Sequence, residues 1–237
     1  MKNLKIKIFA DGADINSMLE DYNKGVCHGF TTNPSLMKKA GIKSYREFAK
    51  EVLSKIKDLP ISFEVFADDK ETIIKEALEI ASWGQNLYVK IPVINTKGEF
   101  NGEAIRELSN KGIKLNITAI FTEEQVKQTI EALNKDVPAL ISVFAGRIAD
   151  TGINPEILIS KSVELTKEYP NLEVLWASCR EFYSIFTAEK LGCQVITVQP
   201  DILKKISLYH KDLLQYSKDT VNDFYNDGIS LGFSILD

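Results

Sequence analysis

The feature of this sequence that most directly indicates chemistry is a lysine in the middle of an apolar segment. Lys90 lies within LYVKIPV, residues 87–93, a run that predicts a buried strand. Such a lysine either extends its ammonium group to water or stays buried with a lowered pKa. A lysine amine of lowered pKa is a nucleophile that forms a Schiff base with a carbonyl compound. The position alone leaves both states open, so the other polar residues must decide between them.

Six other predicted strands also carry polar residues toward their carboxyl ends. The polar residues are Asp11, Asn33, Glu64, Asn116 with Thr118, Ser142 with the following Arg147, and Ser178 with Arg180, and the apolar Phe144 lies two positions after Ser142. Residues two apart lie on the same face of a strand, which applies to three of these pairs. Each residue alone has a structural explanation, such as a turn, a helix cap, a Glu64–Lys90 ion pair or a solvated arginine. Because seven successive strands share the pattern at one end, the sequence predicts an active site there.

The elements that must position these residues alternate between short apolar runs and helical patterns, eight of each. The predicted strands are residues 5–11, 28–33, 61–67, 87–93, 114–121, 139–146, 173–179 and 195–200. Residues 44–47 and 122–125 have the composition of capping boxes, which predicts helices that begin there. Residues 69–83 predict an amphipathic helix. Its apolar face is predicted to contain Ile73, Ile74, Ala77, Leu78, Ile80 and Ala81.

This alternation predicts a single (β/α)8 barrel. Buried strands that are each followed by a helix are typical of a parallel sheet covered by helices. Eight repeats favour a closed barrel over an open doubly wound sheet, and no Gly-rich nucleotide-binding motif follows the first strand. The 237 residues suit one barrel of about 250 residues. We therefore expect one domain over residues 1–237, with a last helix at 213–225 and a tail.

Composition excludes several classes of partner. The net charge is −4 and no basic run occurs, which argues against nucleic acid and anionic membranes as partners. The three cysteines, Cys27, Cys179 and Cys193, lack metal-ligand spacing and predict reduced thiols in a cytoplasmic protein. No signal-peptide core or membrane-spanning run is found. The two histidines, His28 and His210, have no metal spacing either, so neither a metal nor a cofactor is expected.

Five motifs resemble the transaldolase family in its short-chain branch. They are GFTTNPSL at 29–36, VKIP at 89–92, NIT at 116–118, SVFAGR at 142–147 and ASCR at 177–180. TTNPSL is a specific signal, whereas Asn-x-Thr alone is weak. The resemblance extends from Phe9 to Pro200, and the residues after Pro200 diverge. It implies an enzyme that transfers a dihydroxyacetone unit from a ketose phosphate to an aldose phosphate.

The resemblance also implies a role for each polar residue at the strand ends. Lys90 would form the Schiff base, and Asp11 would be the acid/base carboxylate. The remaining roles are substrate hydroxyl binding by Asn33, a proton-shuttling water held by Glu64 and Thr118, sugar orientation by Asn116 and Ser142, and phosphate binding by Arg147, Ser178 and Arg180. By its spacing from Ser142, Phe144 would present an apolar edge to the enamine on Lys90. The expected partners are sugar phosphates, with fructose 6-phosphate and sedoheptulose 7-phosphate as the family's usual ketoses.

Two alternative functions stay open. A free aldolase would make fructose 6-phosphate from dihydroxyacetone and glyceraldehyde 3-phosphate, but that branch tends to have Gln in place of Glu64 and Tyr in place of Phe144. A non-catalytic phosphosugar-binding barrel would not need the lysine and its carboxylates. Gly12 and Val143 depart from the family's usual Thr and Pro, which leaves the identity of the sugar open. The apolar run at 229–236 makes a homo-oligomer possible.

Overall fold

The structure, a computed structural model, describes residues 4–236. These residues form two compact units. The first unit ends at Leu203, and the second begins at Lys204. Residues 1–3 and 237 of the predicted single domain lie outside the described residues, and that prediction of one domain stays a prediction. Within residues 4–236, no helix has the length and apolar character needed to cross a membrane.

Eight parallel strands form a closed barrel in the first unit, which confirms the predicted (β/α)8 fold. They are β1 Lys7–Asp11, β2 Gly29–Thr31, β3 Ile61–Glu64, β4 Leu87–Pro92, β5 Leu115–Ile120, β6 Ala139–Val143, β7 Leu172–Trp176 and β8 Val195–Val198. Each strand pairs with the next one along the chain, and β8 pairs with β1 to close the barrel. Several predicted strands were too long at their carboxyl ends, where the chain leaves the sheet and forms the mouth of the barrel.

Ten α-helices lie within residues 4–203, where the sequence predicted fewer. They are α1 Ile15–Lys24, α2 Pro34–Lys39, α3 Tyr45–Lys55, α4 Lys70–Ala81, α5 Gly102–Asn110, α6 Glu123–Ala132, α7 Ala145–Asp150, α8 Pro155–Thr166, α9 Ser184–Lys190 and α10 Pro200–Leu203. The helices α2, α7 and α10 have only four to six residues, too few to show a helical repeat in the sequence. A proline at the first position helps α2 and α8 to begin.

The predicted helix starts agree with the observed caps. Thr122 and Gln125 form the complete capping box at α6, and Ser44 Oγ accepts a hydrogen bond from Glu47 N at α3. The predicted apolar face of α4 is wrong at Leu78, whose side chain is 39% exposed while Ile73 is fully buried. At about 100° per residue, Leu78 lies some 140° around the helix from Ile73 and turns away from the barrel.

An apolar layer fills the barrel below its mouth. Phe9, Leu140, Leu175 and Val195 form one buried cluster there. A Cβ on Gly29 would lie 2.7 Å from the ring of Phe9, so glycine at this position makes room for that ring. The layer closes the barrel interior from below and leaves the polar strand ends to form a site above it.

The second unit contains a 3₁₀ turn, Lys204–Leu208, and α11, Leu213–Ser230. The predicted last helix is therefore present and continues past its predicted end. Many of the apolar side chains of α11 are exposed, including Phe224, Tyr225 and Ile229. Oligomeric state stays a prediction.

Candidate active site

A pocket lies at the carboxyl ends of the strands, where the sequence predicts the site. Its lining comprises Asp11, Thr31, Asn33, Lys90, Asn116, Thr118, Ser142, Phe144, Arg147, Leu175, Ala177, Ser178, Arg180, Thr197 and Gln199. Every predicted site residue except Glu64 is among them, and Glu64 contacts Lys90 directly. Among residues 4–236, no three His, Cys, Asp or Glu side chains gather as they would around a metal ion.

Lys90 is buried at the base of this pocket. It is 7% exposed, and its Nζ lies 3.0 Å from Glu64 Oε2. The two residues are register partners on β3 and β4, which places both side chains on the inner face. Nζ also donates a hydrogen bond to the backbone oxygen of Thr32 at 3.2 Å. The amine therefore does not extend to bulk water, and a carboxylate that can accept its proton is in contact with it.

Asp11 has an environment suited to proton transfer. Burial raises the pKa of its carboxyl, while the positive charge of Lys90 and a hydrogen bond from Thr31 oppose this increase. Thr31 Oγ1 donates to Asp11 Oδ1 at 2.8 Å. A carboxyl whose pKa is raised toward the working pH exchanges protons with a substrate hydroxyl more readily than an ordinary aspartate does. Asp11 can therefore act as a general base and as a general acid.

The amides of the site are held by specific partners. Asn116 donates from Nδ2 to Ser62 Oγ at 3.0 Å, and its Oδ1 accepts from Ser142 Oγ at 2.6 Å. Asn33 caps α2, since its Oδ1 accepts from Leu36 N. The cap role considered for Asn33 is thus real, and its Nδ2 group is the part left for a ligand. These contacts fix the direction in which each amide presents its donor and acceptor.

Thr118 reaches the pocket at an irregular point of β5. The register between β5 and β6 shifts between Ile117 and Ile120, and Ala119 has a φ of +59°. Such a bulge re-aims the side chains beside it. Thr118 Oγ1 is buried and has no hydrogen-bond partner within residues 4–236. A buried hydroxyl without a protein partner is costly, so this atom suits contact with substrate or an ordered water.

Two arginines line the part of the pocket that follows β6 and β7, away from Asp11 on β1 and Lys90 on β4. Arg147 Cζ is 5.5 Å from the centroid of the Phe144 ring, in a cation–π contact. Arg180 forms a two-point ion pair with Asp150, in which Nε donates to Oδ1 at 3.2 Å and the terminal nitrogen contacts Oδ2. Both guanidinium groups are exposed enough to meet an anion that enters the pocket.

Close backbone packing holds these arginines near one another. A Cβ on Gly146 would lie 1.6 Å from the backbone oxygen of Ser178, so only glycine fits at this position of α7, where the helix packs against the chain that follows β7. Ser178 itself has a φ of +62°, a strained conformation for a serine. Strain of this kind occurs preferentially where a ligand is bound.

The comparisons with known proteins agree with this arrangement. A family model described as transaldolase/fructose-6-phosphate aldolase matches residues 8–234. The chain belongs to this family. A probable transaldolase of Caldicellulosiruptor saccharolyticus is 36% identical over 204 residues, which cover 85% of this chain and 89% of the relative. A probable transaldolase of Methanococcus maripaludis is 37% identical over 202 residues, with the same two shares. The predicted family is therefore confirmed.

Solved structures show the same barrel at much lower sequence identity. KGPDC from Streptococcus mutans has a TM-score of 0.55 at 10% identity, and the match covers 85% of this chain and 90% of that one. A putative phosphonomutase from Burkholderia cenocepacia has a TM-score of 0.56, at 14% identity, with shares of 89% and 94%. At these identities the likeness concerns the fold alone.

Sequence reasoning missed several residues of this transaldolase-family site. Thr31 and Ser62 each lie two positions before a predicted site residue, so the spacing rule could have found them. Thr197 on β8 and Gln199 directly after it are also two apart, at the one strand for which no polar residue was predicted. Asp150 has no comparable signal, because only the tertiary fold brings its helix to Arg180.

Proposed function

We propose that this enzyme is a transaldolase that transfers a dihydroxyacetone unit from a ketose phosphate to an aldose phosphate through a Schiff base on Lys90. The observation that carries the proposal is the buried Lys90 amine, 3.0 Å from the Glu64 carboxylate, in a pocket that also holds Arg147 and Arg180. The family assignment and the relatives named probable transaldolase support it. Glu64 and Phe144 favour transfer over free aldol cleavage.

The first step forms an iminium ion on Lys90, which accepts the electron pair of the bond that breaks in the second step. Lys90 gives up a proton, for which the Glu64 carboxylate is the acceptor within reach. The neutral amine attacks the ketone carbon of the ketose, and the carbinolamine then loses water to form an iminium ion. Glu64 returns the proton to the departing hydroxyl, through a water that contacts the unpartnered hydroxyl of Thr118. The iminium ion then carries its positive charge at the position that the ammonium group of Lys90 occupied.

The second step breaks the carbon–carbon bond. Asp11 takes the proton from the C4 hydroxyl, the C3–C4 bond cleaves, and its electron pair moves into the iminium to give an enamine. The aldose phosphate leaves. An incoming aldose phosphate is attacked by the enamine, and Asp11 returns its proton to the new hydroxyl. Hydrolysis of the resulting iminium releases the new ketose phosphate.

Binding groups orient both sugars during these steps. Asn33 Nδ2 and the Asn116–Ser142 pair face the pocket and suit the hydroxyls of the sugar. Arg147, Arg180 and Ser178 suit the phosphate, since guanidinium groups form charge-assisted hydrogen bonds with its oxygens. The arginines supply local positive charge in a chain whose net charge is −4.

Reductive trapping tests the proposal. Borohydride added together with fructose 6-phosphate should fix a three- or six-carbon adduct on Lys90, which mass spectrometry of peptides locates. Lys90→Arg should abolish both the adduct and turnover. Lys135→Arg is the matched control, because burial lowers the pKa of Lys135, yet Lys135 lies outside the pocket. An adduct that persists in Lys90→Arg would contradict the assignment, and a wild type that binds the ketose without an adduct would favour a binding protein.

A free aldolase is the second candidate, because the matching family includes fructose-6-phosphate aldolase as well as transaldolase. The two activities differ in the fate of the enamine, which is protonated and released in an aldolase but attacks an aldose in a transaldolase. The ratio of free dihydroxyacetone to transferred product therefore separates them. A product dominated by free dihydroxyacetone, with an aldose acceptor in excess, would favour the aldolase.

A further inference from the structure

A chain of two threonine hydroxyls leads from β8 to the Asp11 carboxylate. Thr31 Oγ1 on β2 donates to Asp11 Oδ1 at 2.8 Å, and it lies 2.5 Å from Thr197 Oγ1 on β8. Thr31 is 3% exposed and Thr197 is 7% exposed, so bulk water does not compete freely for either hydroxyl. The strands β8, β1 and β2 are adjacent in the barrel, which brings the three side chains to one inner surface.

The direction of the hydrogen bonds in this chain follows from counting protons. A threonine hydroxyl has one proton to donate and can accept from two partners. When Asp11 is ionised, the proton of Thr31 points to the carboxylate, and Thr197 must therefore donate to Thr31. When Asp11 is protonated, it can donate to Thr31, and Thr31 can donate to Thr197. The chain thus has a satisfied arrangement for each protonation state of Asp11.

We infer that Thr197 is a positioning residue for the acid/base carboxylate, acting through Thr31; this rests on the function proposed for Asp11. By donating to Thr31, Thr197 keeps that hydroxyl directed at Oδ1 and leaves Oδ2 for the C4 hydroxyl of the substrate. The same contact stabilises the ionised form of Asp11, because a hydrogen bond given to a carboxylate favours its charged state.

The charged groups around Asp11 act in opposite directions, so the hydroxyl chain can affect the balance between ionised and protonated Asp11. Lys90 from β4 favours the ionised carboxylate, Glu64 from β3 disfavours it, and burial disfavours it most strongly. The strands on either side of β1 contribute no charge but two threonines, Thr31 from β2 and Thr197 from β8. During the reaction the positive charge on Lys90 disappears when the enamine forms, which is the moment at which Asp11 holds the proton. The proton taken from the C4 hydroxyl is then on Oδ2, while Oδ1 still accepts from Thr31, so the proton remains available for the hydroxyl formed with the incoming aldose.

Three substitutions test the inference. Thr197→Val removes the hydroxyl at constant shape, Thr197→Ser keeps the hydroxyl, and Thr129→Val is the matched control. Thr129 is fully buried, and its hydroxyl donates to the backbone oxygen of Gln125 outside the site. The readouts are kcat and KM against pH, and the titration of Asp11 followed by NMR with ¹³C-labelled aspartate. Should Thr197→Val fold poorly, Thr197→Ala removes the same hydroxyl.

We expect Thr197→Val to lower kcat about fivefold, the size of one neutral hydrogen bond, with KM nearly unchanged. The acid limb of the kcat profile and the Asp11 titration should both move to higher pH, by roughly half a unit or more. Thr197→Ser should restore both, and Thr129→Val should change neither.

An Asp11 titration in Thr197→Val that coincides with the wild type would overturn the inference, as would a Thr197→Ser variant that behaves like Thr197→Val. The NMR titration needs no turnover. It therefore decides on the hydroxyl chain even if reductive trapping fails and the proposed function is wrong.

Discussion

The lysine side and the arginine side of the pocket are built in different ways. On the lysine side, Lys90 and Asp11 belong to strands, and each is held by partners from neighbouring strands. On the arginine side, Arg147 lies on the short helix α7 and Arg180 follows β7, and the side chain of Arg180 is 47% exposed. The charged groups of one side are buried, and those of the other meet solvent.

Under the proposed function, this difference divides the site between proton transfer and phosphate binding. Electrostatic interactions are stronger where water is excluded, so a proton-transfer group gains most from burial in a fixed network. A phosphate must enter from solvent and leave again, and an exposed arginine allows exchange without a large desolvation cost. We therefore expect substitutions on the lysine side to affect chemistry and those on the arginine side to affect binding.

After the complete loss of turnover expected for Lys90→Arg, the largest expected effect in this comparison is at Asp11. Asp11→Ala should lower kcat by about 10²–10⁴-fold, the usual range for general acid/base catalysis. Schiff-base formation precedes the step that needs Asp11, so borohydride trapping on Lys90 should persist. Equal loss of trapping and turnover would show that Asp11 acts earlier or only in the structure, and would remove the distinction between its role and that of Lys90.

The raised pKa of Asp11 also gives this prediction a pH dependence. The base form is needed for cleavage, so kcat in the wild type should fall as the pH decreases through a pKa above the usual aspartate value of about 3.9. A carboxyl whose pKa is raised on folding destabilises the folded state above that pKa. Asp11→Asn should therefore increase Tm at neutral pH while it removes activity, and a decrease in Tm would contradict the burial argument.

An intermediate effect is expected on the arginine side. Removal of either Arg147 or Arg180 should cost about 1.5–3 kcal/mol of phosphate binding, the range for hydrogen bonds to a charged group. The loss should be seen mainly in KM for phosphorylated aldoses, with kcat much less changed. A non-phosphorylated aldehyde acceptor is the internal control and should be almost unaffected. If both kinds of acceptor lose equally, the arginines are structural and the division between the two sides fails.

The smallest expected effect is at Phe144, which lines the same pocket. Its ring is partly buried, packs 5.7 Å from the Phe121 ring and lies beneath Arg147. Phe144 and Lys90 line the same pocket, and an apolar wall there would help to keep water from the enamine before the acceptor arrives. Phe144→Tyr would bring a hydroxyl to this wall. It should therefore increase the ratio of released dihydroxyacetone to exchanged aldose. An unchanged ratio would mean that Phe144 is ordinary packing.

Much of the fold was predictable because its signals are local. Each buried strand and amphipathic helix leaves its pattern within a few consecutive residues, and the box at Thr122 and Gln125 marks a helix start by itself. Leu78 shows the limit, since apolar character alone did not reveal which side of α4 it occupies. For the site, a parallel barrel brings all carboxyl strand ends together, so the position of polar residues along each strand was enough to group them.

The amino-acid sequence by itself determined the barrel, its family and most of the polar residues at its mouth, though not Thr31, Thr197 or Gln199. Only the tertiary structure decided how those residues are connected: that Asp150 holds Arg180, and that Thr197 reaches Asp11 through Thr31. Thr31 and Thr197 are 166 positions apart and meet only because β8 pairs with β1 and β1 with β2. Hydrogen bonds require positions correct to a fraction of an ångström, and barrel closure and strand register set those positions.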